Sequence, residues 1–250
     1  MEDIENFAIS GKILYEVLKA KGVNFLFHAN TVLTSITFIE QGALLTRHYV
    51  EINSLQQTEQ KSDDEDRKFD VWDHFFLDGQ DLHKLYRKAN KYGPVLFVLN
   101  LEMLNCPDFS SIYVTKTNPW YWNESMTLDD KFYKDPDDIV NDYLTGKKLD
   151  SRIMFTIRNP EKKIKLNKYL HSICLDKPDF LIKTKLGEVA LSKYLHSKFS
   201  SLLNSNGLSH ITLFTRHQRL FYPCLCCVEY FKMYNFQREE FIKRFSYLSK

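Results

Sequence analysis

With 250 residues, 44% of them hydrophobic and 26% charged, and with 19 Phe and 14 Tyr, the chain has the apolar content to bury a core, which excludes a disordered polypeptide. Its 34 Lys and Arg against 32 Asp and Glu leave a formal charge of +2, a balance that neither demands nor excludes a nucleic-acid partner, because a basic patch can sit inside a near-neutral total. Five cysteines, an odd number without the scattered even spacing of a secreted scaffold, exclude a disulfide framework and point to a reducing, cytoplasmic setting.

The acidic opening Met1-Glu2-Asp3-Ile4-Glu5 is followed by no apolar run, so no secretory signal is expected. No window approaches the roughly 18 apolar residues of a spanning helix, so no membrane partner is expected. Ile4, Phe7, Ile13, Leu14, Val17 and Leu18 recur at helical steps over residues 3–20, with Gly22 as a stop. Residues 23–28 read as a short buried strand. Asn30 and Thr31 then cap a helix carrying Leu33, Ile36, Phe38 and Ile39, and residues 43–50 read as a second extended segment.

Residues 53–68 are almost wholly polar and read as a long exposed loop or lid. A short helix over 81–90 and a Tyr92-Gly93-Pro94 turn lead into the strongest strand of the sequence, the β-branched apolar run over 95–101. Residues 108–124 read as irregular, 136–144 as a helix, 152–157 as a strand and 166–174 as helical, up to a break at Lys177-Pro178. Beyond it, 186–203 read as an amphipathic helix, 211–214 as a strand and 228–248 as helical. The expected class is α+β, with a domain over 1–177 and a mainly helical C-terminal region over 178–250.

Four groups of residues offer chemistry. His28, at the end of a strand, and Arg47, after Gly42, suit an anionic or ribose-bearing ligand: imidazole bonds a hydroxyl and guanidinium grips phosphate. The competing reading is a strand-end histidine and a surface arginine. Residues 73–83 hold Asp73, His74, Asp78, Asp81 and His83, but their spacing matches no closed metal site, and Asp81 suits a helix N-cap. His217, Cys224, Cys226 and Cys227 are soft zinc ligands by type. However, C-x-C-C is not a C-x-x-C knuckle, and the apolar neighbours favour a buried segment, so no metal is expected. Lys116, Trp120, Tyr121 and Trp122, with Arg152, Arg158, Lys162, Lys163, Lys165 and Lys168, alternate cations and π-faces as a single-strand binder does, or equally form core and a solvated face. No P-loop, Rossmann, nucleophile-elbow or zincin motif occurs, and eight glycines argue against glycine-rich phosphate loops.

The run FLFHANTVLTSITFIEQGALLTR, residues 25–47, resembles the opening of histidine-containing ADP-ribosyltransferase domains, nearest to the DarT-like toxins that modify nucleic acid. The resemblance extends over residues 22–165 and is motif-like in its first quarter. It implies a small split-sheet core with flanking helices and NAD as substrate. His28 and Thr31 would hold the nicotinamide ribose, with Asn30 in the same binding set and the phosphates near Arg47. It also implies a DNA or RNA acceptor, a toxin or anti-phage setting and an antitoxin-like protein partner.

The family usually places a Glu at the start of a late strand, against the ribose. Here the corresponding residues are Asp150-Ser151-Arg152, so Asp150 stands in for that Glu, or Arg152 takes a phosphate- or substrate-binding role, or the chain is inactive. A non-catalytic nucleic-acid-binding or protein-interaction module is the alternative, with the missing Glu as its main argument.

Overall fold

The computed structural model describes residues 3–109, 111–145, 153–184, 187–216 and 224–245. A 3₁₀ turn (Ile4–Phe7), capped by the Asp3 side chain, precedes α1 (Gly11–Ala20). The helix expected over 3–20 is therefore interrupted, because Ile9 leaves helical geometry to bridge Ile112. β1 (Phe25–Asn30) follows, and the Thr31 hydroxyl caps α2 (Val32–Glu40) by accepting from the Thr34 amide. β2 (Ala43–Leu45) is shorter than expected. At Thr46 the hydroxyl accepts from the Tyr49 amide at 3.1 Å and starts α3 (Arg47–Ile52), which places Arg47 on a helix rather than on an extended segment.

The polar run over 53–68 is also corrected. It contains α4 (Asp63–Lys68), whose acidic first turn and basic last turn suit the helix dipole, and it buries Thr58 and Asp66. β3 (Phe75–Asp78), α5 (Leu82–Tyr86) and β4 (Val95–Asn100) come next. β5 (Ser111–Val114) lies within the segment expected to be irregular, followed by α6 (Leu128–Lys131), α7 (Pro136–Val140) and β6 (Met154–Arg158). β7 (Lys163–Lys165) leads to α8 (Leu166–Tyr169), a single turn that gives way to β8 (Leu170–Leu175).

Helical spacing of Leu166, Tyr169, Leu170 and Ile173 loses here to the sheet, because β8 supplies the ladder partner for β4. β9 (Leu181–Thr184) and β10 (Gly187–Ala190) form a hairpin that takes the start of the helix expected from 186, leaving α9 (Leu191–Ser205). β11 (Thr212–Thr215), α10 (Cys226–Phe236) and α11 (Arg238–Phe245) complete the chain.

The main sheet has seven strands in the order β11-β8-β4-β1-β3-β6-β5. Its pairs are antiparallel except β11 with β8, so the protein is α+β with a mixed sheet. The change of texture near Pro178 does not coincide with a change of sheet, since β11 extends the sheet formed by the first part of the chain.

Strand alternation divides the core. Leu26, Phe75, Leu77, Phe97, Leu99, Phe155 and Ile173 point to one face and meet Leu14 and Leu18 of α1, Ile36 and Ile39 of α2 and Phe199 of α9. Full burial of each such side chain is worth about 1.5–3 kcal/mol. The other face is covered at one end by Phe7, Val71, Tyr113, Trp122 and Phe132. At its centre Leu96, Val98 and Cys174 carry partly buried Phe25, Phe27 and Ala29.

Candidate functional site

β1 places Leu26, His28 and Asn30 on one side of the sheet by simple alternation. The His28 Nδ1 lies 3.0 Å from the carbonyl oxygen of Phe76 on β3. A carbonyl only accepts, so Nδ1 carries the hydrogen and Nε2 presents its lone pair. Asn30 Nδ2 donates to that Nε2 at 3.3 Å, and Asn30 Oδ1 accepts from the Thr31 amide at 2.8 Å. The imidazole sits beside the rings of Phe38 and Phe97, 6.0 and 6.4 Å between centroids. Burial pushes its pKa below the usual imidazole range, and the nearby Arg47 charge adds to that. His28 is therefore neutral and oriented at physiological pH.

Arg47 reaches the same region from α3. Its Nη1 donates to Gln57 Oε1 at 2.9 Å and to the Thr58 carbonyl at 2.8 Å, while Nη2 stands 2.8 Å from Asp63 Oδ1. The Thr58 hydroxyl is 2.8 Å from that of Thr31, and the Thr58 amide donates to Thr34 Oγ1 at 3.0 Å. Thr58 thus ties Arg47 to the N-terminus of α2, and His28, Asn30, Thr31 and Arg47 converge. Thr31 is buried, and its hydroxyl is taken up by the cap and by Thr58, so its contribution is positional.

Asp66 lies in the same region. Burial, followed by the like charge of Asp63, pushes its carboxyl up to about 7, against a hydrogen bond from Ser62. Burial likewise raises the Tyr92 hydroxyl, with Asp78 and Asp66 adding to the effect. Gln57, Thr58, Asp63 and Asp66 were not foreseen from the sequence. They fall in the run whose polarity reads as solvation, and only their tertiary contacts distinguish them. Asp150, Arg152 and His217 lie outside the described residues.

The segment 73–83 disperses. Asp73 Oδ1 accepts from the Thr46 hydroxyl at 2.8 Å and its Oδ2 pairs with Lys162 at 2.9 Å, next to the start of α3. His74 is buried, bonded to Thr156 at 3.0 Å and stacked on Tyr113, and burial lowers its pKa to about 4. Asp81 caps α5 by accepting from the amides of His83 and Lys84, as expected.

The basic and aromatic set is largely neutralised. Arg158 pairs with Glu5, Lys162 with Asp73, Lys165 with Glu161 and Lys168 with Asp108. Lys163 lies over the Tyr49 ring. Trp122 is core, whereas Trp120 and Tyr121 are 49% and 70% exposed. Among the described residues no helix is long and apolar enough to cross a membrane. Compared with known proteins, the chain matches no family model and no curated protein.

Proposed function

We propose that the protein is an ADP-ribosyltransferase-like enzyme that uses NAD as substrate and passes ADP-ribose to an acceptor, with DNA or RNA as the acceptor class. The observation that carries this reading is the pairing of a neutral, oriented His28 with the Arg47 guanidinium across the Thr31–Thr58 contact. The His28 Nε2 can exchange its long bond from Asn30 for one from a ribose hydroxyl, while the bond to Phe76 keeps the ring in place. Arg47, once Asp63 yields, can take a diphosphate in two parallel bonds.

Cleavage of the glycosidic bond sends its electron pair to nicotinamide and leaves positive charge on the ribose, which a fixed carboxylate stabilises. Asp150 is the counterpart of the family's Glu in this reading. Arg152 is assigned to the acceptor or phosphate side. The exposed Trp120 and Tyr121 offer faces on which an unpaired base can stack. A cytoplasmic toxin or anti-phage setting with an antitoxin-like partner belongs to the same reading.

A second reading, a non-catalytic binding module, draws support from the Asp63–Arg47 ion pair, which occupies the guanidinium. The test is incubation of the folded protein with NAD labelled on its adenylate half, with DNA, RNA and cell lysate offered separately. Label transfer to one acceptor is expected. Neither transfer nor nicotinamide release would overturn the enzyme reading in favour of the binding module.

A further inference from the structure

Two segments distant in sequence bring soft ligands together. His83 comes from α5, Cys224 from the residues before α10 and Cys226 from the first position of α10. One ligand atom from each lies within 4.8 Å of the others. We infer that His83 Nε2 and the Cys224 and Cys226 sulfurs form a binding site for a zinc-class divalent metal ion, independent of the proposed NAD site.

The orientation of the imidazole is the first argument. His83 Nδ1 stands 2.8 Å from Asp176 Oδ1, and both side chains are 3% exposed. A negative carboxylate this close favours the tautomer with its hydrogen on Nδ1, which leaves the Nε2 lone pair towards the cysteines, with Cys224 Sγ at 2.9 Å. A carboxylate behind the non-ligating nitrogen is the arrangement that orients metal-bound histidines and raises their basicity.

The carboxylate is itself fixed. Arg216 Nε donates to Asp176 Oδ1 at 3.1 Å and the Tyr230 hydroxyl to Oδ2 at 2.6 Å. Arg216 also pairs with Asp81, the cap of the helix that carries His83. Charge, hydrogen bonds and packing thus converge on one ring nitrogen.

The thiols supply the second argument. With bonds of about 2.3 Å to sulfur and about 2.0 Å to nitrogen, tetrahedral zinc separates its ligand atoms by about 3.5–3.8 Å. The trio needs only small shifts to reach that spacing. The Cys226 amide donates to Cys224 Sγ at 3.3 Å, which fixes that sulfur beside the first turn of α10. Cys226 also contacts Cys227, whose thiol donates to the Lys177 carbonyl at 2.8 Å. The fourth position falls to Cys227 or to water.

One imidazole and two thiolates select zinc over the hard cations that want oxygen. Because the ligands come from α5 and from the start of α10 with the residues just before it, and the supporting Asp176 follows β8, the ion would fasten the C-terminal helices to the sheet. The C-x-C-C spacing lacks a knuckle because the third ligand is 141 residues away.

The experiment is metal analysis of the full chain purified without chelator. About one zinc per chain is expected, retained in Cys106→Ser and lost in His83→Ala, Cys224→Ser and Cys226→Ser. Since these variants can also lose their fold, chelator-stripped wild-type protein with native circular dichroism is titrated with Co(II). Intense thiolate-to-metal charge transfer and tetrahedral ligand-field bands are expected. Zinc retained by both cysteine variants, or a folded metal-free protein giving no charge transfer with Co(II), would overturn the assignment.

Discussion

Gly93 stands so close to the end of β1 that a Cβ on it would lie 2.2 Å from the Asn30 carbonyl oxygen and 2.5 Å from the Thr31 nitrogen. Its φ of +148° is also one that side chains rarely adopt. The turn after α5 is thus pressed onto the peptide that positions His28 and caps α2, and the Pro94 carbonyl accepts from the Asp176 amide at 2.9 Å. Gly93→Ala must push backbone against backbone and is expected to cost about 2–4 kcal/mol. Gly207→Ala, at φ +71° with nothing within 4 Å, faces only the conformational penalty of about 1 kcal/mol. Thermal melts of the two variants check this: equal shifts would refute the steric account.

The proposed transfer reaction makes His28 and Arg47 indispensable for turnover. His28→Ala is expected to lower NAD consumption by about 100-fold, the scale of losing one positioned catalytic-site side chain, and Arg47→Ala by at least as much. Circular dichroism should show both variants folded. Variants that are folded and as active as the parent would remove the geometric basis of the reading.

Asp63 makes the opposite prediction. It stands 2.8 Å from the Arg47 guanidinium, where an anionic substrate group would bind. Asp63→Asn removes the competing charge while keeping the shape. The apparent KM for NAD should fall by about 10-fold, the equivalent of about 1.4 kcal/mol. An unchanged or higher KM would mean that α4 is part of the binding site rather than its occupant.

Elements with strong local signals were legible in the sequence: the apolar run that became β4, the Thr31 cap of α2 and the Asp81 cap of α5. His28 and Arg47 were legible as a pair because a short strand–helix unit separates them. What escaped depended on partners far along the chain. The helical spacing of Leu166, Tyr169, Leu170 and Ile173 runs from α8 into β8, and only the ladder with β4 decides against a continued helix. Thr58, Asp63 and Asp66 are polar residues in a polar run, made interior by Arg47 and Thr31. Within its own segment His83 reads as part of a capping turn, whereas its ring nitrogen faces a cysteine 141 residues away.

Two buried groups impose opposite pH dependences on stability. Burial raises the Asp66 carboxyl from 3.8 to about 7. Between those values the folded chain holds a proton that the unfolded chain has released, so the contribution is complete below the unfolded pKa and is lost as pH rises towards 7. Burial lowers His74 from 6.5 to about 4. Here the unfolded chain holds the extra proton, so the contribution is present above 6.5 and is lost as pH falls towards 4. Each slope approaches about 1.4 kcal/mol per pH unit, and the two oppose each other across the same interval. Their contributions in the parent protein should nearly cancel between pH ~4.5 and ~6.5. Asp66→Asn, which keeps an acceptor for Ser62, should gain stability over that interval as pH rises, by about 2 kcal/mol. His74→Gln should lose a similar amount as pH rises. Urea unfolding of the three proteins at several pH values measures the slopes directly. Parallel curves would show that neither group is buried in the protonation state assigned to it.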